Sequence, residues 1–224
     1  MLRKLLNSML GRTTKRVAYV PDSEQLPGLW PRGKSEHPQP NLSILSAAST
    51  DSLTSLCDRY WDSFLQENHD DNVIMVRDST VCRTALDILR QRGAEVVDWA
   101  RERLRHPGYD AREDAAYLLG ALAGDGQLGS DEGAVAAELA LLATRPWQED
   151  TKEIQANTAA MSALHTIGGE VCLATMRQIL TSREWDNDDL QWDAASILSD
   201  LTGQAFMEAS DPIRVAKDWL SSNP

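Results

Sequence analysis

The stretch from Asp110 to Gly126, DAREDAAYLLGALAGDG, constrains this chain more than any other. Ala111, Ala115, Leu118, Leu119 and Leu122 recur at helical spacing and form one apolar stripe. At 100° per residue, Glu113 and Tyr117 fall on the opposite face. The small pair Ala115–Ala116 admits a neighbouring helix at close range, and Gly124 and Gly126 stop the helix. A stripe with so little bulk needs partners on both sides. Aligning Ala115 with Ala85, Ala159 and Ala194 brings out three weaker copies: TVCRTALDILRQRG, EIQANTAAMSALHTIGG and DLQWDAASILSDLTG. The successive offsets of 30, 44 and 35 residues fall in the range of helical-hairpin repeats.

The run HPGYDAREDAAYLLGALAG resembles a HEAT repeat, whose second helix carries Asp, then Arg, then a small pair, then Leu-Gly. Asp110, Arg112, Ala115, Ala116, Leu119 and Gly120 match that order. In the other copies Arg83 keeps the Arg position approximately, while Gln155 and Gln191 replace it. The tail LTGQAFMEASDPIRVAKDWL resembles the closing segment of bacterial HEAT-repeat proteins through Leu201, Thr202, Gly203, Phe206, Asp211, Pro212 and Trp219. It departs from that segment at Met207 and in having a single Trp. The resemblance spans roughly Thr50 to Leu220. It implies an all-α, right-handed α-solenoid of about four HEAT-like hairpins with a helical C-terminal cap, and it says little about activity.

Charge divides the chain in two. Residues 1–50 carry seven Lys/Arg against three Asp/Glu, a net of +4, and the remainder carries 15 against 31, a net of −16. An acidic body repels phosphate backbones and favours basic partners, which argues against nucleic acid. Residues 1–48 read as an irregular basic arm: five of the nine prolines lie between Pro21 and Pro40, which excludes a long helix there. Leu26, Leu29, Trp30, Leu42, Ile44 and Leu45 are too apolar for a free linker, so parts of the arm are expected to lie extended over the body. Residues 49–224 form that body. Cys57, Cys82 and Cys172 are odd in number and widely spaced, which fits buried thiols in a reducing, cytoplasmic setting. No apolar run is long enough to cross a bilayer, and the start lacks the apolar core of a signal peptide.

In order, Ser49–Asp51 supply N-cap chemistry for a helix whose stripe is Leu53, Leu56, Cys57, Tyr60, Trp61 and Phe64. The following periodic segments read as pairs, 79–92 with 95–105 and 110–123 with 132–144, then 153–167, 171–181 and 188–201. No segment alternates with period two, so no strand is expected. Pro212 suits the first turn of a closing helix, whose Trp219 and Leu220 would cover the end of the stack.

The candidates for chemistry are weak. GDGQLG (124–129) matches G-x-G-x-x-G, but a helix pattern precedes it where a dinucleotide loop needs a strand, so it reads as an inter-helix turn. EWDNDDLQWD (184–193) lacks the central glycine and distal Glu of a calcium loop; Asp188 or Asp189 is expected to be a helix N-cap. His37, His69, His106 and His165 make none of the His-Glu motifs that the di-iron HEAT-repeat hydroxylases use, and His69 with Asp70 and Asp71 reads as a solvated loop. Trp185, Asp186, Trp192 and Asp193 give only a superficial likeness to HEAT-like DNA glycosylases, whose binding face is cationic. No catalytic, cofactor-binding or metal-ligating set is assigned.

What remains is the surface that a HEAT stack presents from the second helix of each hairpin. Its outward positions are Thr80, Arg83 and Asp87; Asp110, Glu113 and Tyr117; Ile154, Asn157 and Met161; and Asp189, Trp192 and Ser196. Aromatic and sulfur side chains among carboxylates suit a binding groove. The competing expectation is that the arm or a neighbouring helix covers Trp192 and Met161. The reading is a non-catalytic module that holds a basic protein, either as an inhibitor of the immunity-protein kind that neutralises a basic toxin domain or as an assembly adaptor. A HEAT-like enzyme is the remaining alternative.

Overall fold

The computed structural model describes residues 26–29, 40–64, 72–146, 151–182 and 187–223. Among them all regular structure is helical: α1 (Leu42–Ala47), α2 (Thr50–Phe64), α3 (Asn72–Arg92), α4 (Val97–Arg103), α5 (Tyr109–Gly124), α6 (Glu132–Ala143), α7 (Thr151–Ile167), α8 (Gly169–Thr181), α9 (Asp188–Thr202) and α10 (Pro212–Ser222). Single 3-10 turns lie at Gly93–Val96, Gly129–Asp131 and Phe206–Glu208. The all-α class follows from the 3.6-residue period. The stripe of Ala111, Ala115, Leu118, Leu119 and Leu122 is buried in full.

The helices pack in the consecutive pairs α2–α3, α4–α5, α6–α7 and α8–α9, with α10 laid on α9. Pair meets pair through like members: α3 lies against α5, α5 against α7, α7 against α9, α6 against α8 and α8 against α10. The frame is therefore one helix earlier than the pairing of 79–92 with 95–105 suggests. The reason lies in the first two turns of α5 and α7. The fully buried Arg112 donates through Nη1 to the carbonyls of His106 and Pro107, both at 2.7 Å, and through Nη2 to Glu153 at 2.7 Å. Asn157 donates to the carbonyls of Leu142, Ala143 and Arg145 at 3.0–3.1 Å. Asn157 thus satisfies carbonyls at the end of α6 and binds α7 to it, while Arg112 ties α5 to the connection that precedes it and to α7.

Helices α5 and α7 approach one another closely. A Cβ added to Gly120 would stand 3.0 Å from both Cα and Cβ of Ala163. Only glycine permits this contact without a shift of one helix.

Both ends of the body are closed by residues that sequence placed there. Ser49 Oγ accepts from the Ser52 N–H and caps α2. At the far end Gly203, at φ +69°, terminates α9, and Asp211 caps α10 by accepting from the Arg214 N–H with Pro212 in the first turn. Trp219 packs on Phe206 at 5.7 Å, with Leu220 buried beside it. Asn187, not Asp188 or Asp189, is the N-cap of α9, accepting from the Leu190 N–H at 3.0 Å; the two aspartates follow in the first turn, where the helix dipole favours them.

The described part of the arm belongs to the core. Leu29 and Leu45 are completely buried, the Asn41 N–H donates to the Leu29 carbonyl at 2.7 Å, and Arg92 donates to the carbonyls of Ser46 and Ala48. Asn41 caps α1 by accepting from the Ser43 N–H, so this stretch is helical where an extended path was expected. The basic residues of the arm lie outside the described residues, as do Trp30, His37, His69, Asp70, Asp71, Trp185 and Asp186. Cys57, Cys82 and Cys172 are free and buried.

Candidate functional site

Helices α3, α5, α7 and α9 occupy neighbouring positions, and their outward residues make one face. From α3 come the exposed Arg83 and Asp87, with Thr80 half-buried behind them. Helix α5 adds Asp110, Glu113 and Asp114, all half-buried, and Tyr117, which is 52% exposed. Helix α9 contributes exposed Asp189 and Asp200, half-buried Asp193 and Ser196, and Trp192 at 46% exposure.

Helix α7 departs from the expected phase. Asn157 and Met161 are buried, not groove-lining, and Ile154 is half-buried. The outward residues are instead Gln155, Ser162 and Thr166, with Thr158 and His165 half-buried. Relative to the alignment on Ala159, α7 is turned by about one residue, roughly 100°. Two contacts account for the turn: Asn157 is drawn inward onto the end of α6, and Ala163 is seated against Gly120. Thr158 Oγ1 and His165 Nε2 then face α9, each 3.5 Å from a carboxylate oxygen, of Asp193 and Asp200 respectively. The sequence-predicted face is thus two acidic halves, one on α3 and α5 and one on α9, separated by a strip on α7 whose exposed residues are the uncharged Gln155, Ser162 and Thr166.

The carboxylates crowd one another. Burial pushes the Glu113 carboxyl above its ordinary value, the charges of Asp114 and Asp110 push it further, and only Arg83 opposes them. Asp114 is also raised, first by burial, although the indole N–H of Trp61 donates to its Oδ2 at 2.9 Å and partly holds it down. Burial raises the Tyr117 hydroxyl as well, followed by the charges of Glu113 and Asp114. In the second half, burial raises Asp193 against its hydrogen bond from Thr158.

Sequence reasoning missed Asp114, whose environment is the most structured on the face. Trp61 stacks on Trp99 at 5.5 Å, and Trp99 lies under the Arg103 guanidinium, which grips Asp58 with two bonds of 2.6 and 2.7 Å. His106 completes the cluster: Nε2 lies 3.2 Å from Asp62 and Nδ1 accepts the Gly108 N–H. The signal was available in the spacing, since Asp114 stands three residues before Tyr117 and so on the same helical face.

No three His, Cys, Asp or Glu side chains among the described residues are grouped so as to hold a metal ion. A shallow cleft of about 220 Å³ is lined by Leu26, Asp51, Ser52, Ser55 and Leu56, and none of these belongs to the face. No helix among the described residues is long and apolar enough to cross a membrane. No family model, curated protein or solved structure matches the chain.

Proposed function

We propose that the chain is a HEAT-like α-solenoid of about four hairpins that binds a basic protein through the face of α3, α5, α7 and α9, without chemistry of its own. The observation that carries the reading is the pair of exposed rings, Tyr117 and Trp192, each set beside carboxylates that burial and neighbouring acids push up. Folded proteins seldom leave large aromatics half-exposed beside mutually repelling acids unless a partner covers the rings and supplies the positive charge. The like-with-like contacts of the helix pairs support the solenoid. A dedicated inhibitor of a basic toxin domain, in the manner of an immunity protein, is the version that best suits so acidic a face, and an assembly adaptor is the alternative. A HEAT-like enzyme is a second reading, and its support is the raised carboxyls of Glu113 and Asp114, which suit a general acid.

The experiment is affinity isolation from the native host followed by direct binding measurements with the purified partner. Affinity should fall as salt rises, because the steering is electrostatic. Tyr117→Ala or Trp192→Ala should each cost 2 kcal/mol or more of binding, roughly a thirtyfold loss. A partner whose binding ignores salt, and which both variants bind as tightly as the unaltered chain while remaining folded, would sink the proposal.

A further inference from the structure

The opposite side of the molecule carries a second feature. Helix α6, EGAVAAELALLA, is apolar around its whole circumference. Val135, Ala136, Leu139, Leu142 and Ala143 turn into the core. Gly133, Ala134, Ala137 and Leu141 turn to solvent, and Leu141 is 73% exposed. A helix apolar on every side is ordinarily buried on every side. The one charged residue within the helix after its first, Glu138, is held by Arg101 at 3.0 Å and Arg105 at 2.8 Å. Neighbouring α8 extends the same surface with exposed Val171 and Ala174, flanked by exposed Glu170 and Gln178.

We propose that this apolar outer face of α6 and α8 is where two copies of the chain pair about a two-fold axis, with their α6 helices antiparallel. The charges at the ends of α6 identify the occupant. The exposed Glu132 stands at its N-terminal end, beside Asp131, which Arg101 of the same chain already meets at 3.7 Å, and the exposed Arg145 stands just past its C-terminal end. Antiparallel pairing sets Leu141 of one copy over Ala134 of the other. It also sets Arg145 against Glu132 of the second copy, twice, as a two-fold interface requires. Elsewhere a chain of net charge −12 repels its own copy; across this face the contact is uncharged at the centre and complementary at the rim. Helices of 12 and 13 residues are about 18–20 Å long, and side by side at about 10 Å they offer roughly 400 Å² per copy. That is the small end of specific interfaces, so the dimer forms weakly, with a dissociation constant on the order of 10–100 µM. The acidic face lies on the other layer and stays open in both copies.

Sedimentation equilibrium of the full chain from about 2 to 500 µM tests this, bracketing the expected constant. The unaltered chain should pass from monomer to dimer and stop there, as closed two-fold symmetry demands. Leu141→Glu, at a solvent-facing position, should keep the fold and weaken the dimer at least tenfold. Arg145→Glu should weaken it comparably, and adding Glu132→Arg to that variant should restore it. Tyr117→Ala should leave dimerisation unchanged, which separates this surface from the partner-binding face. A chain that is monomeric throughout, that grows past the dimer, or whose dimer survives Leu141→Glu overturns the inference; a dimer indifferent to Arg145→Glu overturns the antiparallel pairing.

Discussion

Arg112 offers the sharpest test of how the helix pairs are held together. It is 1% exposed, and its guanidinium joins three elements: the α4–α5 connection through the His106 and Pro107 carbonyls, its own helix, and α7 through Glu153. Arg112→Met keeps most of the apolar stem and removes only the head. Two carbonyls then lose a charged donor. A buried polar group left unsatisfied costs about 1–3 kcal/mol. The Glu153 side chain is 26% exposed, so water partly replaces its lost partner. Against these losses stands a gain: burial and the charge of Arg145 both disfavour the cation, and its Nε finds no acceptor. The balance is a loss of about 2–4 kcal/mol. In a chain of this size that lowers Tm by roughly 5–15 °C.

Urea melts followed by far-ultraviolet circular dichroism measure this directly. Glu153→Gln alone should cost about 1 kcal/mol, and the double variant should lose less than the sum, because both substitutions break one shared contact. If Arg112→Met melts within about 0.5 kcal/mol of the unaltered chain, the value typical of an inconsequential surface change, then the buried cation does not bind the pairs to one another.

Three further outcomes are expected. Gly120→Ala gains about 1 kcal/mol of helix propensity but overpacks the contact with Ala163, for a net loss of about 1–2 kcal/mol in the same melts; adding Ala163→Gly should recover the overpacking part. Leu45→Ala should cost about 2–5 kcal/mol, and removal of residues 1–48 should abolish cooperative melting, since Leu29 and Leu45 are core residues; an unchanged melt would return the arm to the surface. Asp114→Asn should stabilise the protein at pH 7. Its folded carboxyl is raised by burial, so the native state binds the proton more tightly than the unfolded chain, and stability is lost as pH rises above the unfolded value of about 4. The advantage of Asn should therefore vanish below about pH 4, and a gap independent of pH would exclude the charge as its cause.

The helices and the core stripe were legible because both depend on local period alone. Ala111, Ala115, Leu118, Leu119 and Leu122 needed no knowledge of their neighbours to be assigned inward, and all are buried. Asn157 and Met161 were misplaced for the opposite reason. Their position relative to Ala159 copies that of Glu113 and Tyr117 relative to Ala115, yet α7 meets different partners from those of α5. The carbonyls at the end of α6 and the gap left by Gly120 turn it inward. Neither is a property of the α7 sequence. The pairing frame was hidden likewise, because the repeat pattern marks Arg112 without showing which carbonyls it holds. Polar residues in the first two turns after a Pro-containing connection are the signal that would have shown it.

The turn of α7 also bears on the kind of partner the acidic face would take. It places an uncharged strip of Gln155, Ser162 and Thr166 between the half with Tyr117 and the half with Trp192. Two helix spacings of about 8–10 Å separate the aromatic rows, so the anchors stand roughly 20 Å apart. A partner that buries a standard interface of about 800 Å² per side covers both, whereas an extended peptide needs about six residues merely to reach from one to the other. A folded basic domain should therefore lose affinity to Tyr117→Ala and to Trp192→Ala alike. The two losses should add within about 0.5 kcal/mol in the double variant, since anchors so far apart share no contact. Isothermal titration of the single and double variants makes the comparison. If one variant abolishes binding and the other leaves it untouched, the partner sits on one acidic half alone, and the two-anchor face must be given up in favour of a short basic segment.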